Sequence, residues 1–230
     1  MIYLTGDTHI PIDVGKLNTT LFPQQKEMTR SDVVIICGDF GLYWNKNKTH
    51  AFWRNWLRKK NFTVCWLDGN HENFDWIKEL PEEEWCGGKV HRDDNIIHLM
   101  RGEVYTIQDK KFLVMGGAGS IDKADRVQGI SWWPEEEISY QDYERAAENI
   151  KRHYYSVDYV LTHTCPYDLI QPMFHLRPYG SNYSEKALQS LYTMLKFDTW
   201  FFGHWHEDKE YGKFRCLYND VVNLEDYKNA

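Results

Sequence analysis

The sequence predicts a mixed α/β sandwich, and three observations carry that expectation. Short apolar runs, IYLTG (2–6), VVIICG (33–38) and FTVCWLDG (62–69), recur about every 30 residues with helix-compatible sequence between them, the spacing of βαβ units. The later runs DYVLTHT (158–164), TWFFGHWH (199–206) and FRCLYNDVVNLE (214–225) end as a meander, so strands first alternate with helices and then follow one another. No internal repeat, low-complexity tract or Pro/Ser-rich linker interrupts the 230 residues, which predicts one domain over 1–230.

Each element has its own signal. Residues 50–60, HAFWRNWLRKK, place Phe52, Trp53, Trp56 and Leu57 at helical spacing. ELPEEEW (79–85) reads as a helix start, with Pro81 in the first turn and carboxylates at the positive end of the helix dipole. IIHLMRGEVYTI (96–107), the turn QDKK and FLVMGGAG (112–119) read as a hairpin. Ser139 with Asp142 resembles a capping box and predicts a helix over 139–152. A last helix, SEKALQSLYTMLK (184–196), separates DYVLTHT from TWFFGHWH.

Composition narrows the function. Hydrophobic residues make up 42% and charged residues 27%, as in an ordinary globular chain. The net charge of −7 argues against a broad nucleic-acid-binding surface, though not against a local one. No apolar run reaches the length of a membrane span. The chain opens straight into IYLTGDTH with no basic leader, and its five scattered cysteines form neither a disulfide framework nor a zinc pattern. The expectation is a cytoplasmic protein.

The strand ends carry the chemistry. After the first run come Gly6, Asp7 and His9; after the second, Gly38 and Asp39; after the third, Gly69, Asn70, His71 and Glu72. His163 closes DYVLT, and Gly203, His204 and His206 close TWFF. Ligands in α/β sheets gather beyond the carboxyl ends of strands, so these groups are expected at one rim. Aspartate, asparagine and histidine suit Mn, Fe, Zn or Ni rather than thiolate-loving ions. Seven of them, Asp7, His9, Asp39, Asn70, His163, His204 and His206, are too many for one tetrahedral ion and natural for two. Paired metals about 3.5–4 Å apart clamp a phosphoryl group and an attacking hydroxide. In extended backbone residues i and i+2 face the same side, so Asp7 with His9, and His204 with His206, can point into one site.

The ordered set D-x-H, G-D, G-N-H-E, H, G-H-x-H resembles the calcineurin-like metallophosphoesterase superfamily and runs from Asp7 to His206. The resemblance implies two mixed sheets packed face to face and flanked by helices, with a dinuclear site at one edge. It implies Asp7, His9 and His206 on one metal, Asn70, His163 and His204 on the other, and Asp39 bridging. His71 then falls on the non-ligand histidine that stabilises the phosphoryl group or protonates the leaving oxygen. Members acting as Ser/Thr protein phosphatases carry G-D-x-x-D-R after the second strand. Here the stretch is Gly38-Asp39-Phe40-Gly41-Leu42-Tyr43, without the second aspartate or the arginine. His71 therefore needs another partner, with Asp68, Glu72 or a backbone carbonyl as candidates.

The loop GGAGSIDKADRVQGISWW (116–133) resembles a stretch of some bacterial and phage members. Arg126 or Lys123 on it could replace the missing phosphate-gripping arginine. The basic run NKNKTHAFWRNWLRKKN reads as the solvated face of an amphipathic helix, with nucleic-acid binding as the alternative. Cys37, Cys65 and Cys216 read as buried hydrophobes, and Cys165 as a residue that could line the site. The resulting expectation is metal-dependent hydrolysis of phosphate esters, monoesters or small diesters and nucleotides among them, with two divalent ions, Mn²⁺ first. The alternatives are a nuclease and a non-catalytic interaction module.

Overall fold

In the computed structural model, which describes residues 1–178 and 182–227, strands β1 (Ile2–Thr5), β2 (Val33–Cys37), β3 (Thr63–Leu67), β4 (Glu82–Trp85), β5 (Gly88–Asp93) and β6 (Ile96–Leu99) build one sheet. Strands β7 (Val104–Ile107), β8 (Lys110–Met115), β9 (Tyr159–Thr162), β10 (Thr199–Phe202), β11 (Lys209–Tyr211) and β12 (Phe214–Cys216) build a second, and β13 (Val222–Asn223) returns to the first. The spatial orders are β13-β1-β2-β3-β6-β5-β4 and β11-β12-β10-β9-β8-β7. Both sheets are mixed: β1-β2-β3-β6 and β8-β9-β10-β12 run parallel, with antiparallel strands at the edges.

The strands read as continuous apolar runs because both faces are covered. Alternate residues of the first sheet, Leu4, Ile35, Cys65 and Leu67, meet Phe112, Val114, Leu161 and Phe201 of the second. The intervening Tyr3, Val34, Ile36 and Trp66 turn outward into a cluster with Leu57 of helix α1 (Lys48–Arg58). Short α2 (Phe74–Ile77) joins that layer. On the far side, Leu113, Met115, Val160 and Phe202 cluster with α3 (Tyr140–Arg152), α4 (Ile170–Phe174) and α5 (Tyr183–Met194). The result is the α/β sandwich with flanking helices that the strand pattern predicts. Ser139 and Asp142 form both bonds of the capping box ahead of α3. No helix among the described residues is long and apolar enough to cross a membrane.

Three expectations change. ELPEEEW starts no helix: Glu82–Trp85 is the edge strand β4. Its turn uses Cys86 and Gly87 at positive φ, 51° and 91°, and its carboxylates pair across to β5, Glu82 with Lys89 at 2.8 Å and Glu83 with Arg92 at 2.7 Å. The run IIHLMRGEVYTI is two strands, not one, because the chain turns at Gly102 (φ 77°) and crosses from the first sheet to the second. FRCLYNDVVNLE likewise divides between β12 and β13. The hairpin that does form joins β7 to β8.

The basic run behaves as a structural helix face. Arg54 and Arg58 both pair with Asp93, and Lys60 donates to the Leu17 carbonyl at 2.7 Å and to Gln25 at 2.9 Å.

Candidate metal centre

The carboxyl ends of the parallel strands of both sheets meet at one rim. The turns after β1, β2 and β3 carry Asp7, His9, Asp39, Asn70 and His71; those after β9 and β10 carry His163, His204 and His206. These turns are not extended. Asp7, His9, Asp39, His204 and His206 have φ of 45°, 35°, 46°, 70° and 50°. Left-handed backbone at a non-glycine residue costs on the order of 1–3 kcal/mol, so local bonds must hold it. The His9 amide donates to the Asp39 carbonyl at 2.9 Å, and the His204 amide donates to the Asp7 carboxylate at 3.0 Å. Two glycines make the convergence possible. A Cβ at Gly69 would collide with Asp39 Oδ1, and one at Gly203 with Asp7 Oδ2.

The side chains form two groups about Asp39. Ligand atoms of Asp7, His9, Asp39 and His206 all lie within 4.8 Å of one another and could hold a metal ion. In the other group, His163 Nε2 is 3.1 Å from Asn70 Oδ1, and the His163 and His204 rings pack edge to face with centroids 5.0 Å apart. Asp39 serves both: Oδ2 is 3.2 Å from His9 Nε2, and Oδ1 is 3.2 Å from His163 Nε2. Both i, i+2 pairs therefore reach the one centre, through left-handed turns rather than extended backbone: Asp7 and His9 enter the first group together, and His204 and His206 divide between the two. The left-handed turn sends His206 to the first group and His204 to the second.

The electrostatics fit divalent cations. Burial, opposed by His163 and reinforced by Asp39, pushes the Asp7 carboxyl up to about 7. Burial alone would lower His163, but the Asp39 carboxylate overrides it and holds the imidazolium up to about 9. Burial beside His163 pushes His204 down to about 3, leaving a neutral ring with a free lone pair. Buried carboxylates stay ionised only beside positive charge; the proton on His163 supplies it to Asp39, whose carboxyl is held low, while Asp7, pushed up, is left short of it. A cation ligated by these oxygens and imidazoles would displace that proton.

A cavity of about 630 Å³ opens from this centre, with Asn70, His71, Ser120, Arg126, Arg177 and Trp205 among its walls. Arg126 Nη1 lies 3.5 Å from His71 Nδ1. Neither carboxylate suggested as a partner for His71 serves it. Asp68 is bound by Arg101 and by His98 at 3.0 Å, and Glu72 accepts from the Phe40 amide at 2.7 Å. Burial lowers the His71 ring below its usual value against the pull of Asp39, and Arg126 adds to that. Lys123 points away from the cavity to Glu136 at 2.8 Å and Glu137 at 3.2 Å. Cys165 is fully buried in the second sheet's outer core and does not line the cavity.

Sequence reasoning missed four polar partners. Asp13 Oδ2 sits 2.9 Å from His9 Nδ1. Arg101 ties Asp68, at the end of β3, to the carbonyls of Glu136 and Glu137. Ser120 and Glu136 lie behind Asn70. Only the four-residue spacing from His9 to Asp13 left a trace in the sequence; the other pairs meet across turns.

Comparison with curated proteins finds no match. The sequence model of the calcineurin-like phosphoesterases matches residues 1–208, which span every strand end that contributes to the centre. The family consists generally of phosphoester hydrolases that use divalent metal ions, and the chain belongs to it.

Proposed function

We propose that the protein hydrolyses phosphate esters of small organic molecules at two divalent cations. In this reading Asp7, His9 and His206 hold one ion, Asn70, His163 and His204 hold the other, and Asp39 is shared. The observation that carries it is Asp39, whose two carboxylate oxygens each lie 3.2 Å from a histidine of a different group. The ions, Mn²⁺ foremost, would supply Lewis-acid activation of the phosphoryl group and of the attacking water.

The chain's own residues do the rest. Arginine only donates, so its contact with Nδ1 favours the His71 tautomer with its proton on Nε2. His71 then presents an N–H donor from the cavity wall, and Arg126 adds a fixed positive charge beside it. The apolar walls, including Ile121, Leu176 and Trp205, suit the organic part of the ester. Nucleic acid is the less favoured substrate, since Arg54, Arg58 and Lys60 of the basic run are bound within the protein.

The test is a panel of p-nitrophenyl phosphate, its bis-ester, an alkyl phosphate and single-stranded DNA, with Mn²⁺-loaded and chelator-treated protein. Turnover of a small ester that disappears on chelation and returns with Mn²⁺ is the expected result. Inactivity on every substrate with two ions bound would leave the interaction-module reading in its place. His71→Ala should keep its metals and lose on the order of 10²–10⁴-fold in rate. A loss confined to the alkyl ester marks His71 as proton donor to the leaving oxygen. An equal loss on both monoesters marks it as a donor to the phosphoryl oxygens.

A further inference from the structure

Asn70 presents an ambiguity that none of its neighbours in the centre resolves. A side-chain amide has one face that binds a cation and one that repels it, and nothing in its shape selects between them. The selection comes from behind. Asn70 Nδ2 donates to Ser120 Oγ at 3.1 Å, and Ser120 Oγ donates to Glu136 Oε2 at 2.9 Å. The other carboxylate oxygen, Oε1, accepts from the Ser120 amide at 3.0 Å and pairs with Lys123 Nζ at 2.8 Å. Glu136 is fully buried, and Ser120 and Asn70 are nearly so.

The direction of this chain is fixed at its far end. A carboxylate only accepts, so the Ser120 hydroxyl must spend its proton on Glu136. What remains on Ser120 Oγ is lone-pair density, which only the NH₂ of Asn70 can satisfy. Asn70 Oδ1 is thereby turned to the centre, where it lies 3.1 Å from His163 Nε2. Glu136 in turn is held by Lys123 and by the fold itself, since the Glu136 carbonyl accepts from Ala118 at 2.9 Å.

We propose that Ser120 and Glu136 are positioning residues that fix the amide of Asn70 with its oxygen toward the metal, and that Lys123 belongs to this relay rather than to substrate binding. The proposal rests on the reading of Asn70 as a ligand. Outer partners of this kind typically contribute about 10–100-fold in metal affinity.

Glu136→Gln provides a sharp test because it preserves shape. The Oε1 position takes two donors and must remain oxygen, so the glutamine places its NH₂ at the Oε2 position, facing Ser120. That NH₂ donates to Ser120 Oγ and leaves the hydroxyl proton without its acceptor, so the proton is free to turn to Asn70 and the serine no longer selects which end of the amide faces the metal. Calorimetric titration of metal-free protein with Mn²⁺ should resolve two classes of site, and Asn70→Ala identifies the class that Asn70 serves. Ser120→Ala and Glu136→Gln should each weaken that class by about 10–100-fold and leave the other unchanged. On an Asn70→Ala background, neither should weaken it further.

If Asn70→Ala weakens one class while both relay variants leave it intact, the relay is wrong and the ligand reading stands. Effects that add to those of Asn70→Ala, or that weaken both classes in step with a lowered Tm, assign the relay a purely structural role and also overturn the proposal. If Asn70→Ala changes neither class, the ligand reading itself fails.

Discussion

The two groups that meet at Asp39 are built to different tightness. On the Asn70 side, His163 is completely buried, its Nδ1 donates to the Cys37 carbonyl at 3.0 Å, and Asn70 is backed by Ser120. On the His9 side, the His206 side chain is 50% exposed, and the outer partner of His9 is the partly exposed Asp13. Backbone carbonyls and buried side chains fix a ligand at little further entropic cost, whereas an exposed imidazole must be ordered when it binds. The closed side should therefore hold its ion tightly and the open side should exchange it.

The largest expected effect erases the comparison altogether. Asp39→Asn removes the carboxylate common to both sides, so both ions should weaken together and kcat/KM should fall by more than about 100-fold, beyond the usual range for an outer partner. Elemental analysis after Mn²⁺ reloading, alongside steady-state kinetics, checks this. One ion retained at full affinity would show that the sides are independent.

Proton competition sharpens the comparison next. His163 is held up to about 9 in the metal-free protein, above the unfolded value of 6.5. Its stabilising contribution is complete below about pH 6.5 and is lost as pH rises through about 9. A cation on the closed side must displace that proton. Its affinity should thus climb with pH between about 6.5 and 9, by up to roughly tenfold per unit, with protons released on binding. Mn²⁺ titrations across this window in two buffers of different ionisation enthalpy measure both quantities. A flat closed-side affinity would mean that His163 is already neutral.

The smallest effect is local. Asp13→Asn should weaken the open-side ion by about 10–100-fold and spare the closed one, because only the His9 ring loses its partner. Competition with a colorimetric chelator would read the two sides separately. Equal weakening of both would dissolve the distinction between them.

Much of this was legible from local sequence. Gly-Asp and Gly-Asn-His-Glu after apolar runs mark strand ends because a buried strand has no other reason to surface with such groups. Helical spacing placed α1, the capping box placed α3, and continuous apolar runs placed the parallel strands. ELPEEEW misled because Pro followed by carboxylates is a fair helix start, and nothing local announces that Lys89 and Arg92 will draw Glu82 and Glu83 into a hairpin. The relay behind Asn70 was invisible for a stronger reason. Asn70, Ser120 and Glu136 lie 50 and 16 residues apart and are brought together only by the sandwich. Lys123, expected at the substrate, pairs with Glu136 and Glu137, and a cation on a glycine-rich loop looks alike in sequence whether it faces a phosphate or a buried glutamate.

The rim where the sheets meet also has a consequence in time. A ribosome delivers Asp7, His9, Asp39 and Asn70 within the first 70 residues, all on the first sheet, while His204 and His206 wait for β10 of the second. At about 5–20 residues per second, that interval is on the order of ten seconds. Throughout it the nascent chain exposes an oxygen-rich fragment of the centre that lacks its last imidazoles. Assembly of the full donor set is then a late event in the life of the molecule, because His163, His204 and His206 all arrive with the second sheet.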